Sequence, residues 1–355
     1  MKKVLVVDDS ALMRKLLTGV LAEGGYEVRS ARNGAEGVQL VIDWQPDVVT
    51  LDINMPEMDG LTALSLIMNA RPTPVVMVSS LTEKGALATF EALALGAVDF
   101  IPKPGGTISL QLDDVKKQLL DKVRSASRAR LGPRPAARST PPPPPRPRPA
   151  PPAAAPGRPA RTSALLPGLV LIGVSTGGPR TLEDILPRLP ANFPWPVLVA
   201  QHMPANFTDT FARRMDGLCA LTVVEAATAL PLQAGHIYIG RGGTDLTVTD
   251  RAGTLHAAPR PETPGVLWHP SVEVMVDSAM QHLPAAKLVG VMLTGMGNDG
   301  AQAMTRLHAA GGRTIAESAD TAVVFGMPHE LIERRGASMV LPCTGIAAQL
   351  RLWLQ

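Results

Sequence analysis

The sequence predicts an α/β protein of two doubly wound parallel-sheet domains joined by a Pro/Arg-rich linker. Three observations predict it. Strand and helix patterns alternate through the first 124 residues and resume after Leu165. Residues able to do chemistry sit where predicted strands end. Thirteen of the 34 prolines fall between Pro133 and Pro159, where neither helix nor central strand can form. With 355 residues and 45% apolar side chains, the chain has material for two cores. The boundaries expected are 1–124, a linker over 125–164, and 165–355.

Strand patterns in the first part cover Lys3–Val7, Glu27–Ser30, Asp47–Leu51, Pro74–Val78 and Val98–Ile101. Helical patterns lie at Ala11–Ala22, Ala35–Ile42, Leu61–Asn69, Lys84–Leu95 and Leu110–Arg124. The strands end in Asp8-Asp9, in Asp52, in Ser79-Ser80 and in Pro102-Lys103. A parallel sheet brings those ends to one rim. Carboxylates gathered there repel one another, and a hard cation such as Mg²⁺ relieves that. A metal beside Asp52 helps it attack a phosphoryl group, whose oxygens Ser79 and Lys103 are placed to hold.

The linker is expected to be extended and semi-rigid, with polyproline II character. It carries most of the basic excess. Nine arginines lie between Arg124 and Arg161, and no acid occurs from Lys122 to Leu182. The net charge of +3 therefore comes from one segment. No aromatic residue interleaves those arginines to stack on bases, so a nucleic-acid partner is not expected. Two cysteines, Cys219 and Cys343, exclude a disulfide framework and fit a reducing compartment. The apolar run after Lys2-Lys3 stops at Asp8, too short for a signal peptide, and no run is long enough to span a membrane. A cytoplasmic protein without membrane insertion is expected.

In the last part, the apolar run Leu169–Ile172 leads into Gly173-Val174-Ser175-Thr176-Gly177-Gly178, before a helix-compatible segment from Thr181 to Leu186. A serine between glycines at a strand-to-helix turn presents its hydroxyl at the mouth of a sheet. The helix-start N–H groups can stabilise an oxyanion. A second strand, Pro196–Gln201, ends at His202, and a helix pattern covers Asn206–Met215. Three runs, Gly235–Gly240, Asp245–Thr249 and Thr254–Ala258, read as antiparallel. A helix over Ser271–His282 leads to a strand over Leu288–Leu293, then to Asp299 in a glycine-rich turn, and Thr344–Leu354 reads as a closing helix. Ser175 needs a base, which His202 supplies, and an imidazole needs a carboxylate to orient it, which Asp299 supplies. A dinucleotide-binding loop is the main rival. It requires glycine where Ser175 stands and an acid where the next strand ends in Gln201-His202.

The segments Val6–Ser10, Leu51–Gly60, Val78–Ser80 and Phe100–Pro104 resemble the flavodoxin-like receiver domain of response regulators. The resemblance implies that Asp52 accepts a phosphoryl group and that Asp8, Asp9, Asp52 and the Asn54 carbonyl hold Mg²⁺. It further implies that Ser79 and Lys103 sense the phosphoryl group and that Phe100 is a switch aromatic. The segments Ile172–Gly178, Gln201–Thr208, Val291–Gly300 and Val323–Pro328 resemble the chemotaxis-type protein-glutamate methylesterases. That implies a Rossmann-like serine hydrolase with Ser175 as nucleophile, His202 as base and Asp299 as orienting acid. Main-chain N–H groups of Thr176 and Met296 would form the oxyanion site, with no cofactor needed for ester hydrolysis. Implied partners are the cytoplasmic helices of methyl-accepting chemoreceptors and a phosphodonor histidine kinase. Two departures stand out: a longer, more proline-rich spacer, and Trp268-His269-Pro270-Ser271 where a basic residue is expected before the proline. A docking module without catalysis, and a hydrolase for another receptor or coiled-coil protein, are the competing readings.

Overall fold

The computed structural model describes residues 1–80, 82–103, 112–131 and 166–354. In the first half, β1 (Lys3–Val7), β2 (Glu27–Ala31), β3 (Val48–Asp52), β4 (Val75–Ser79) and β5 (Asp99–Pro102) form one parallel sheet. The strand order is β2-β1-β3-β4-β5. The connecting helices are α1 (Ala11–Glu23), α2 (Gly34–Trp44), α3 (Gly60–Ala70), α4 (Glu83–Leu95) and α5 (Leu112–Ala126). Ser10, Asn33, Asp59 and Thr82 cap the first four, each accepting from the N–H three residues on. β3 and β4 are buried along their whole length, as a sheet covered on both faces requires.

The second half is a seven-stranded parallel sheet in the order β15-β14-β13-β6-β7-β10-β8. Its strands are β6 (Leu169–Val174), β7 (Val197–Gln201), β8 (Thr222–Ala226), β10 (His236–Gly240), β13 (Leu288–Met292), β14 (Arg313–Glu317) and β15 (Met339–Leu341). A small antiparallel sheet joins β9 (Leu230–Pro231), β11 (Asp245–Arg251) and β12 (Thr254–Arg260). Helices α6 (Gly178–Ile185), α7 (Ala205–Leu218), α8 (Val272–His282), α9 (Ala301–Ala309), α10 (Met327–Glu333) and α11 (Cys343–Trp353) complete it. β6 lies between β7 and β13, so Ser175 emerges where the strand order reverses. Crevices in open parallel sheets form at that point.

The strand expected at Gly235–Gly240 is not antiparallel. β10 pairs in parallel with both β7 and β8. Its turn-rich surroundings hide this, because β9 and the β11–β12 hairpin are inserted around it. β8, β14 and β15 are strands that periodicity did not isolate, and Cys219 and Cys343 are both free.

At the expected start of the linker, 125–164, the chain is still helical. α5 continues to Ala126. Arg130 is then pinned to the second half: its N–H donates to Val323 O at 3.1 Å and its guanidinium to Ala319 O at 3.0 Å. The proline-rich stretch itself lies outside the described residues.

The two halves meet along α4, which packs on α6 and α7. Phe207 on α7 stands edge-on to Phe90 of α4 at 6.4 Å and lies 4.4 Å from the ring of Phe100 at β5. Phe211 adds a fourth ring, 5.4 Å from Phe90. All four rings are buried. Phe207→Ala is expected to cost ~3–5 kcal/mol, the usual range for emptying a buried phenylalanine site. Chemical denaturation of the full chain checks this, and a loss below ~1 kcal/mol would mean that the aromatic contact does not join the halves.

Candidate active site

Ser175 and His202 are the residues that follow two paired strand ends. Val174 on β6 pairs with Gln201 on β7, and His202 N–H donates to Val174 O at 3.1 Å. On the other side, Ser175 N–H donates to Thr294 O at 2.9 Å, just beyond β13. The turn after Ser175 needs glycine twice. Gly177 has φ +80°, and a Cβ on Gly178 would fall 2.0 Å from Gln201 Oε1. Gln201 lies beneath the turn and donates from Nε2 to Ser175 O at 3.0 Å and to His202 O at 3.1 Å.

His202 Nε2 lies 2.8 Å from Asp299 Oδ2, with both side chains buried. Asp299 also accepts from Ser271 Oγ at 2.9 Å, Val272 N–H at 2.7 Å and Glu273 N–H at 3.1 Å. Burial opposes its charge, but the hydrogen bonds from His202 and the α8 amides outweigh it and hold the carboxyl below its ordinary range. An ionised carboxylate only accepts, so Nε2 carries the hydrogen. Nδ1 then holds the lone pair, and it is buried with no hydrogen-bond partner among the described residues.

The loop after β13 is braced from behind. Gly295 N–H donates to Val324 O, while Gly326 and Met327 N–H donate to Gly295 O. A Cβ on Gly295 would lie 2.7 Å from Ser175 Cβ, so this loop presses directly on the serine. Met296 stands between Gly295 and Gly297, next to that contact. Thr176, buried, follows the serine and accepts from Thr294 Oγ1 at 2.9 Å.

A second cluster lies at the carboxyl edge of the first sheet. Carboxylate oxygens of Asp8, Asp9 and Asp52 fall within 4.8 Å of one another. Lys103 Nζ bonds Asp52 at 2.7 Å and stands 3.4 Å from Asp8 Oδ2, which has no well-directed hydrogen bond of its own. Burial raises the Asp52 carboxyl above its usual range, with Lys103 opposing and Asp8 adding to the rise. Three hard oxygen donors with an excess of negative charge fit a divalent cation. Asn54 N–H approaches Asp52 Oδ1 at 3.4 Å. Ser79 faces its neighbours on α4. Its hydroxyl accepts from Thr89 and donates to Gly85 O, so it engages α4 rather than Asp52.

Comparison with known proteins follows this geometry. Residues 170–350 match the CheB methylesterase family and residues 4–112 the response regulator receiver domain. A Rhodospirillum rubrum protein named protein-glutamate methylesterase/protein-glutamine glutaminase 3 is 54% identical, covering 100% of this chain and 96% of its own length. The chain belongs to the CheB methylesterase family. A Rhodopseudomonas palustris relative bearing the same name, numbered 2, is 53% identical over 99% of this chain and 98% of itself. The crystal structure of the Thermotoga maritima CheB methylesterase catalytic domain is 39% identical with a TM-score of 0.50. It covers 52% of this chain and 96% of that one.

Within this CheB-family chain, residue patterns alone did not single out four supporting side chains. Gln201 and Ser271 were visible only as motif neighbours. Thr294 and Glu317 gave no signal, since their roles depend on strand adjacency. Glu317, fully buried at the end of β14, accepts from Thr294 N–H at 2.8 Å and from Thr321 Oγ1 at 2.9 Å. Burial pushes its carboxyl up to about 7 from 4.5, against those hydrogen bonds. The folded chain therefore keeps a proton that the unfolded chain releases. The stabilising contribution is full below pH 4.5 and is lost as pH rises through about 7. Glu317→Gln is expected to flatten the fall in stability across that window. Denaturation midpoints measured across the window check it, and an unchanged slope in the variant contradicts it.

Proposed function

We propose that Ser175, His202 and Asp299 perform the protein-glutamate methylesterase and protein-glutamine glutaminase reactions of this family. The observation that carries the reading is the 2.8 Å contact between His202 Nε2 and buried Asp299, which leaves Nδ1 without a partner among the described residues, on the strand end next to the one that carries Ser175. The chemistry then follows. Ser175 Oγ attacks the γ-carbonyl of a glutamyl methyl ester as His202 Nδ1 takes its proton. Negative charge develops on the carbonyl oxygen, where the amides of Thr176 and Met296 are the donors of choice. Collapse expels methanol, which takes the proton from His202. Water then attacks the acyl-serine with His202 again as base, giving a free glutamate. A glutamine side chain follows the same course with ammonia as leaving group.

The substrate proposed is the cytoplasmic helical region of a methyl-accepting chemoreceptor, which places the enzyme in the cytoplasm. A histidine kinase is the proposed phosphodonor to Asp52. Asp8, Asp9, Asp52 and the Asn54 carbonyl would hold Mg²⁺, which neutralises charge at the phosphoryl group, and Lys103 and Ser79 would read that group. Phosphorylation adds about −1.5 to −2 charges at a rim already held by Lys103. The receiver shares its α4–β5 side with Gly177, Arg180 and Val323, two to five residues from Ser175 in the case of the first two. Loosening that contact uncovers the serine. The proposed units remain 1–124, 125–164 and 165–355, with α5 and Arg130 extending the first toward the second.

Methanol release from methylated receptor membranes tests this reading. Wild type treated with a small phosphodonor and Mg²⁺ is expected to release methanol faster than untreated protein. Asp52→Asn should show no such rise, and Ser175→Ala should release ~10³-fold less or lower still, as loss of a nucleophile requires. Equal release by wild type and Ser175→Ala would remove Ser175 from the mechanism.

A further inference from the structure

Trp268 lies in the segment where the sequence departs from expectation, and its place is specific. Its indole is parallel to the His202 imidazole, at an interplanar angle of 4° and a centroid separation of 5.6 Å. Its edge also lies against Gly297, where an added Cβ would fall 3.0 Å from the ring. The same side chain therefore touches the base and the loop that carries Met296. It forms one wall of a cleft of about 260 Å³, lined also by Leu267, Asn298, Asp299 and Arg334.

The surrounding chain is built to hold that ring. Asp245, fully buried, accepts from Thr263 N–H at 2.9 Å, His269 Nδ1 at 2.8 Å and Ser271 N–H at 3.1 Å. These contacts fix the chain on both sides of Trp268. Burial works against the Asp245 charge, yet those hydrogen bonds keep its carboxyl below the ordinary range, so the anchor stays ionised. Ser271, three residues on, bonds Asp299 and caps α8. One short segment thus places an aromatic face on the imidazole and a hydroxyl on its carboxylate.

We infer that Trp268 is a positioning residue for His202. Its face keeps the imidazole in the plane that joins Nε2 to Asp299 and leaves Nδ1 toward Ser175. An indole face also attracts a cation, so the contact strengthens when His202 takes the serine proton. Interactions that strengthen in the transition state raise kcat rather than lower KM. This role rests on the triad proposed above. It goes beyond that reading because the indole itself exchanges no proton and forms no bond.

Full-length protein, activated with a small phosphodonor, supplies the test. Trp268→Ala is expected to lower kcat for methanol release about tenfold with KM changed less than about twofold. Trp268→Phe, which keeps a ring face, should recover kcat to within about threefold of wild type. Wild-type kcat in Trp268→Ala, or a Phe variant as slow as the Ala variant, overturns the role. Fluorescence gives a readout independent of turnover. The emission difference between wild type and Trp268→Phe should change when it is taken in a His202→Gln background, which removes the stacked imidazole. An identical difference in both backgrounds also overturns the role. Ser175→Ala run in parallel separates the two readings. Retained activity there removes the triad, whereas an inactive Ser175→Ala beside a fully active Trp268→Ala removes only the role of Trp268.

Discussion

Asp299 accepts hydrogen bonds from His202, from the Ser271 hydroxyl and from the first two amides of α8. A buried carboxylate is costly unless such donors surround it. Here they come from two separate parts of the chain, His202 and Ser271–Glu273, so the charge can exist only when those parts and Asp299 have assembled. The same arrangement orients the imidazole. Its Nε2–H is committed to the carboxylate and its Nδ1 has no other protein partner among the described residues. Folding of the second half and orientation of the imidazole are therefore one event. The segment from Trp268 to Glu273 is central to that arrangement, since it caps α8, bonds Asp299 and stacks on His202.

The first half reaches this site through a short route. Phe90 and Phe100 bury themselves against Phe207 and Phe211 on α7. Arg130 holds the turn around Val323, and a Cβ on Gly177 would meet Val323 at 2.6 Å. The turn that carries Ser175 is thus flanked by a residue that the chain after α5 grips. Glu317 bonds Thr294 and Thr321 from below the same region. The contact between the halves is largely apolar, with one exposed ion pair, Arg213 to Glu83 at 3.2 Å, adding little.

Much of this was readable in the residues because the chemistry sits at strand ends, and strands with continuous apolar runs are easy to see. Asp8, Asp52, Lys103, Ser175 and His202 all appear where those runs stop. Asp299, expected as an orienting acid, also accepts from the first amides of α8, earlier in the chain, whereas the helix that follows it, α9, begins at Ala301 with Gly300 as its cap. β10 was misread because an inserted hairpin surrounds it with turn residues. Gln201 and Glu317 act through packing across neighbouring strands, which no local pattern encodes. The true end of α5 was hidden by composition, since arginine is compatible with helix, linker and interface alike.

The account stands on Ser175 being activated by the His202–Asp299 pair. Covalent labelling with a fluorophosphonate probe, read by mass spectrometry of the tryptic peptides, tests it most directly. The account predicts a single adduct on Ser175, formed ~10²–10⁴-fold more slowly in His202→Gln, the range expected when a general base is removed. An adduct on another residue, or equal labelling rates in the two proteins, would contradict it.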